Sequence, residues 1–239
     1  MTMPNLEQFE SSIQVSFTDK ALLRQAFVHR SYLNENPDFP GGHNERLEFL
    51  GDAVLELIVT EYLYKTYPNP EGELTNWRSA LVKGEMLSEV ADELQMEPYL
   101  HLSRGEAKGN GRSRQLILAN AFEALIGAMY IDQGYDVAKS FIHRILIGRL
   151  EGIIATGAHI DAKSKFQEVA QERHGITPNY EVLSESGPDH DKQFTVGVYL
   201  GKKKIGVGEG ASKQAAQQEA AKAALEILEA EDANTGNNS

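Results

Sequence analysis

The sequence predicts an all-α domain over residues 1–150, then a linker at 151–160 and an α+β unit of order α-β-β-β-α over 161–229. Residues 230–239 are expected to be a disordered tail. Three observations carry this division. Apolar residues recur at helical three- and four-residue steps after Asn44, and the helix formers continue through Leu63. Leu116 to Ile131 is apolar almost throughout and long enough for a buried helix. After Thr156-Gly157-Ala158 the pattern changes to short strand-like runs between two helical ones.

Taken in order, the chain opens with a short polar segment and a helix from Ala21 into His29-Arg30-Ser31-Tyr32. Pro37, Pro40 and Gly41-Gly42 break the chain before the next helix, for which Asn44 is the N-cap. Tyr67-Pro68-Asn69-Pro70 is a turn, and Glu71-Gly72-Glu73-Leu74-Thr75 leads into a helix from Asn76 to Leu94. Met86, Leu87, Val90 and Leu94 form the buried side of its second half. Residues 101–115 carry Gly, Ser, Arg104, Lys108, Arg112 and Arg114, which suits an exposed loop; a plain solvated linker and a phosphate contact both fit. Asp132-Gln133-Gly134-Tyr135 ends the apolar helix, and a further helix runs to about Leu150. Beyond the linker, Ala162–His174 is helical, and Tyr180–Ser184, Gln193–Leu200 and Lys203–Gly210 are strands. Turns fall at Gly187-Pro188-Asp189-His190 and Gly201, and Ser212 caps an Ala-rich helix to Leu228.

Composition narrows the function classes. With 41% hydrophobic and 24% charged residues, this is an ordinary globular composition. No run reaches the roughly eighteen apolar residues of a membrane span, and no signal-peptide core is seen near Met1, so no membrane partner and a cytoplasmic location are expected. Without cysteine there are neither disulfides nor thiolate metal sites, so any metal must be held by oxygen or imidazole. The net charge of −12 argues against nucleic-acid binding if spread evenly, but it is not. Residues 161–229 hold nine basic and eleven acidic side chains, and residues 1–160 hold fourteen and twenty-two. The acid excess sits in the N-terminal part.

There, Leu47, Leu50, Val54, Leu57 and Ile58 share one side of the helix, while Glu45, Glu48 and Asp52 lie roughly opposite. Three carboxylates along about two turns repel one another unless something positive sits among them. A solvated acidic face with Arg46 as compensation is the plain reading. Phe49 near the acids and Gly51 in mid-helix weigh against it. Glycine there costs about 1 kcal/mol relative to Ala, so a close approach to the backbone is expected. In the apolar helix only Asn120 and Glu123 are strongly polar, and they share a face. Buried, they need partners: either a structural network to a nearby Arg, or the carboxylate row, with which they would complete a metal site. The second is favoured because the first helix supplies the other half.

The stretch Asn44-Glu-Arg-Leu-Glu-Phe-Leu-Gly-Asp-Ala-Val-Leu55 closely resembles the signature of the ribonuclease III family, and Phe27-Val-His-Arg-Ser-Tyr32 resembles that family's N-terminal pattern. On its own, His29 reads as a hydrogen-bonded structural histidine. The C-terminal unit is similar to a double-stranded RNA-binding domain through Lys163–Glu168, Gly187–His190, Phe194–Val196 and Gly206–Lys213. The resemblance implies an all-α nuclease domain followed by that binding domain. Duplex RNA hides its base edges in a deep, narrow groove, so it is gripped by its 2′-hydroxyls and phosphates. By resemblance, Gln167 and Gln171 lie in one minor groove, His190 reaches the next, and Lys213, Gln214 and Gln217 meet the intervening phosphates at a helix N-terminus. The family often has lysines where Gln214 and Gln217 stand, so weaker and less salt-sensitive binding is expected here.

The resemblance also implies the chemistry, namely phosphodiester hydrolysis with carboxylate-held Mg2+, Mn2+ being its substitute. It assigns Glu48, Asn120 and Glu123 as metal ligands, Asp52 and Glu123 as catalytic groups, Glu45 as an accessory acid and Phe49 as the contact of a homodimer. Products would carry 5′-phosphates, 3′-hydroxyls and short 3′ overhangs, with ribosomal and other structured RNA precursors as substrates. Asn120 departs from the family's usual Asp. An amide oxygen still ligates a hard cation but adds no charge, so a higher metal requirement is expected. The alternative is a double-stranded RNA binder with little or no catalysis. A helical metal hydrolase of small phosphorylated molecules leaves the C-terminal unit unexplained.

Overall fold

The computed structural model describes residues 5–109, 111–156, 162–188 and 192–236. The chain divides into two compact units, Met1–His159 and Ile160–Ser239.

The first unit is helical. α1 (Leu6–Ile13) and α2 (Lys20–Ala26) are capped by the side chains of Asn5 and Asp19. Glu10 is buried beneath them and accepts from the Phe17 N–H (2.6 Å) and Lys20 Nζ (2.5 and 2.6 Å to its two oxygens). The helix expected from Ala21 through Tyr32 is interrupted. Val28 forms a parallel bridge with His101, and His29 caps a separate α3 (Arg30–Glu35). Its Nδ1 accepts from the Ser31 N–H at 3.3 Å and pairs with Ser31 Oγ at 2.8 Å, the structural role expected for it.

The signature helix is α4 (Glu45–Thr66), longer by a turn than its sequence pattern indicated. Asn44 occupies the N-cap position without capping; its buried side chain donates to the Ala26 carbonyl at 3.1 Å and ties α4 to α2. The helix expected at Asn76–Leu94 is two, α5 (Glu71–Val82) and α6 (Gly84–Glu93), parted where Lys83 turns extended. Residues 101–115 are not one loop. They hold a 3-10 turn at Glu106–Lys108, and α7 (Arg112–Gln133) begins within them. Arg114 is spent internally on the carbonyls of Glu106, Ala107 and Gly109 and on Glu97. α8 (Tyr135–Ile145) and α9 (Leu150–Thr156) complete the unit, so the expected linker at 151–160 starts as helix. Leu150 and Ile153 are part of the core.

α7 runs through the centre, against α2, α4, α6 and α8. Leu118, Phe122, Leu125, Ile126 and Met129 are buried with Leu55, Ile58, Leu63, Leu87 and Phe141. Burying each such side chain contributes about 1.5–3 kcal/mol, enough to hold a central helix against its partners. α4 and α7 cross at backbone contact. A Cβ on Gly51 would lie 1.7 Å from the Glu123 carbonyl oxygen, and one on Gly127 2.2 Å from that of Leu47. The close approach expected at Gly51 is therefore another helix.

Glu61 pins α4 to α8, accepting from Tyr135 Oη at 2.6 Å, Lys139 Nζ at 2.8 Å and Lys65 Nζ at 2.5 Å. Led by the Lys139 bond, these donors pull its carboxyl from 4.5 down to about 2. A depressed folded-state value stabilises above the unfolded value and is lost as pH falls through the folded one. A Glu61→Gln variant should thus be less stable than the parent at neutral pH, the gap closing between about pH 4.5 and 2. Parallel thermal unfolding across that range measures it; a gap that does not change with pH would refute the assignment.

The second unit opens with α10 (Ala162–His174), followed by β1 (Asn179–Ser186), β2 (Gln193–Leu200) and β3 (Lys203–Gly210) in one antiparallel sheet of order β1-β2-β3. α11 (Lys213–Gly236) continues eight residues past the expected Leu228. Ser212 caps it, its Oγ accepting from the Ala215 N–H at 3.1 Å. Val196, Val198 and Ile205 of the sheet pack with Phe166 and Ala170 of α10 and with Ala216, Ala220 and Ala224 of α11. The alanines leave little side chain between helix and sheet.

Candidate functional site

The α4–α7 crossing that needs Gly51 also brings the polar residues of both helices together. Glu48 is partly buried beside Asn120, which donates a side-chain hydrogen bond to it. Burial, then the charge of Glu45, push the Glu48 carboxyl above its ordinary value; the Asn120 bond works against this, and Asp52 adds to it. Glu123 is pushed up to about 8, first by burial and then by Asp52 and Glu48. Asp52 itself is exposed. Among the described residues the charged groups acting on Glu123 are Asp52 and Glu48, so the alternative of a network to a nearby Arg is not what they build. Glu48, Asp52, Asn120 and Glu123 thus converge from two helices.

Glu45 stands at the edge of this group, 3.6 Å from Arg30 Nη1 and 3.7 Å from His43 Nδ1. The Arg30 guanidinium is thus a positive charge at the end of the carboxylate row. Leu57, placed by its spacing with Leu47 and Val54, is instead 58% exposed. With Phe49 (82%) and Tyr64 (80%) it forms an apolar stripe along the outside of α4. Helical spacing alone could have found it, since positions 49, 57 and 64 fall on one face. A cavity of about 730 Å³ lined by Leu63, Tyr64, Tyr67 and Leu74 lies at the other end of α4, and none of the four converging residues lines it.

The group fits a hard divalent cation by its chemistry: three carboxylates and an amide oxygen, two of the carboxyls held above their ordinary values by burial and like charge. Among the described residues no three His, Asp or Glu side chains already stand as a formed metal cage.

In the second unit Gln167 and Gln171 are exposed on α10, and Gln171 Nε2 donates to Thr177 Oγ1 at 2.6 Å. Lys213 and Gln214 are exposed in the first turn of α11, with Lys213 Nζ 5.6 Å from the Phe194 ring centroid. Gln217 is half-buried and accepts from Lys163 Nζ at 2.7 Å. His190 lies outside the described residues. Arg104, Lys108 and Arg112 are exposed, so a phosphate contact around 101–115 would fall to them and not to Arg114.

A helical unit with clustered acids is thus joined to a small α-β-β-β-α unit. Residues 19–150 match the family model described as ribonuclease-III-like, and 162–228 match the double-stranded RNA binding motif. The chain is 44% identical over 229 residues to Ribonuclease 3 of Nitratiruptor sp., covering 95% of this chain and 99% of that protein. It is 45% identical over 222 residues to Ribonuclease 3 of Streptococcus sanguinis, covering 92% and 94%. The solved nuclease domain of ribonuclease III from Campylobacter jejuni superposes with a TM-score of 0.54 at 38% identity, covering 59% of this chain and 95% of that one. The chain belongs to the ribonuclease III family, the endoribonucleases of double-stranded RNA.

Proposed function

We propose that the α4–α7 acids cut both strands of duplex RNA with Mg2+, leaving 5′-phosphate and 3′-hydroxyl ends with short 3′ overhangs. The observation that carries this reading is the close crossing of α4 and α7 at Gly51, which brings Glu48 and Asp52 of one helix to Asn120 and Glu123 of the other. Glu48, Asn120 and Glu123 would hold the ion, and Mn2+ would substitute for Mg2+. Bound there, a divalent cation supplies charge neutralisation at the phosphate and acidifies a water for attack. Glu123 gives up its carboxyl proton when the site is loaded. Asp52, on the solvent side, accepts a hydrogen bond from the attacking water and orients it. Glu45 serves as an accessory acid.

Gln167 and Gln171, with His190, would span successive minor grooves, and Lys213, Gln214 and Gln217 the phosphates between them. Two copies would act together. The exposed Phe49, Leu57 and Tyr64 support a homodimer with Phe49 at its contact. In the Campylobacter jejuni nuclease domain, the region involved in dimer formation is described as structurally flexible. Structured precursors such as ribosomal RNA are the expected substrates, and a cytoplasmic location belongs to the same reading.

The test is incubation of a long perfect RNA duplex with the protein and Mg2+. Discrete short duplexes are expected; a duplex bound but left intact in both Mg2+ and Mn2+ would instead favour the non-catalytic binder. Asn120 bears on the same question, since it places an uncharged amide among carboxylates. Asn120→Asp should lower the Mg2+ concentration for half-maximal cleavage, on the order of tenfold, by adding a charged ligand. Metal titrations of parent and variant that coincide would remove Asn120 from the ion's ligands.

A further inference from the structure

We propose that a cavity of the helical unit, apart from the acids, binds a nucleoside monophosphate group, its base between aromatic rings and its phosphate on Arg24. Two three-ring clusters meet there. In one, the ring centroids of Phe9, Phe27 and Tyr99 lie between 5.0 and 5.6 Å apart. In the other, those of Tyr32, Phe39 and His101 lie between 5.0 and 5.4 Å apart. Rings of both line one space of about 600 Å³. Sites for small molecules run to about 300–1,000 Å³. None of Glu48, Asp52, Asn120 and Glu123 lines it. The two walls are tied by backbone: the His101 N–H donates to the Phe27 carbonyl at 2.8 Å, and the His29 N–H donates to the His101 carbonyl at 3.1 Å. A cavity with fixed walls needs less ordering when a ligand enters.

The charged groups of the lining differ in what they are committed to. Lys20 is paired with the buried Glu10, 2.5 Å away. Glu7 is exposed at the rim. Arg24 is also exposed, and among the described residues its guanidinium has neither an ion pair nor a hydrogen bond. It is the charged group that acts on the His101 ring, so the charge beside the rings is positive. Burial, then that charge, lower the His101 pKa and keep the imidazole neutral, a flat wall like the phenyl and phenol rings around it. Its Nδ1 is buried without a hydrogen-bond partner. A nucleobase stacks on aromatic faces and carries donors and acceptors along its edge. A guanidinium matches phosphate oxygens with parallel N–H groups. Rings select a flat ligand and Arg24 an anion; a nucleoside monophosphate joins both in one group. A free mononucleotide and the 5′-phosphorylated end of an RNA strand carry the same group.

The test is calorimetric titration of the full-length protein with adenosine monophosphate, adenosine and a 5′-phosphorylated tetra-adenylate, in EDTA so that no metal held by the acids captures the phosphate. The monophosphate should bind at sub-millimolar concentration and more tightly than adenosine. Arg24→Gln, an exposed change, should weaken the monophosphate about five- to tenfold and leave adenosine unmoved. Phe39→Leu keeps an apolar side chain but removes a ring, and should weaken both about fivefold or more. A tetra-adenylate that loses affinity with Arg24→Gln as the monophosphate does would seat a strand end in the cavity; a response confined to the monophosphate would make it a site for the free nucleotide. A parent that does not bind the monophosphate at millimolar concentration overturns the proposal. So does an Arg24→Gln protein that binds it as tightly as the parent.

Discussion

Glu123→Gln should reduce cleavage of duplex RNA by at least a hundred- to a thousandfold, on the order of losing one group that stabilises a transition state. Duplex binding without a divalent cation should change little, because the matched double-stranded RNA binding motif lies in the other unit. The physical case is specific to this side chain. Glu123 is desolvated and faced by Asp52 and Glu48, so without a cation it holds its proton up to about pH 8. Gln has the shape of that neutral carboxylic acid, so the substitution leaves the α4–α7 packing intact. A folded-state carboxyl raised above its unfolded value makes folding less favourable as pH rises from 4.5 toward 8. In EDTA the Gln variant should therefore equal or exceed the parent in thermal stability over that window. Added Mg2+ should stabilise the parent by mass action and leave the variant nearly unmoved. Thermal scans with and without Mg2+, alongside cleavage and binding assays, separate these effects. A variant that Mg2+ stabilises as much as the parent would take Glu123 out of the metal site.

Gly51→Ala should destabilise the helical unit by about 3 kcal/mol or more, the upper range for overpacking a core. Two effects oppose each other. Ala is the better helix former by about 1 kcal/mol in a helix interior. Against that, its Cβ would lie 1.7 Å from the Glu123 carbonyl oxygen, 2.6 Å from that carbonyl carbon and 2.9 Å from the Gly127 nitrogen. Those atoms are backbone inside a central helix, so they cannot rotate aside; α4 and α7 would have to separate. The clash wins. Separation would also pull Glu48 from Asn120 and so impair the site. Gly72→Ala is the control, since nothing lies within 4 Å of its added Cβ in α5 and its effect should be neutral or slightly stabilising. Urea unfolding of both variants decides the point. A Gly51→Ala protein as stable as the parent would mean that the helices do not cross at backbone contact.

Most of the element order was legible from periodicity and turn residues, and β2 and β3 fall at the expected bounds. Breaks within helical stretches were not. Phe27-Val28 reads as helix until its backbone is seen bonding to His101, and at Lys83 the local signal is the single Gly84 after it, which a helix interior can also hold. Both are decided by partners distant in sequence or by packing, which spacing does not report. Leu57 shows the same limit: an apolar residue at a helical step is not buried unless another element covers it.

The sequence by itself determined which residues share a helix face, where the strands run, and which acids and amides are the candidates for the chemistry, because backbone periodicity and side-chain type are local properties. It also showed that something must approach Gly51 closely. Only the tertiary structure decided that this is the backbone of α7, that the approach joins Asn120 to Glu48 and sets Glu123 beside Asp52, and that Lys163 rests on Gln217. Those pairings join positions 54 to 75 residues apart, and what selects them is close packing of whole helices, which depends on all the side chains between them.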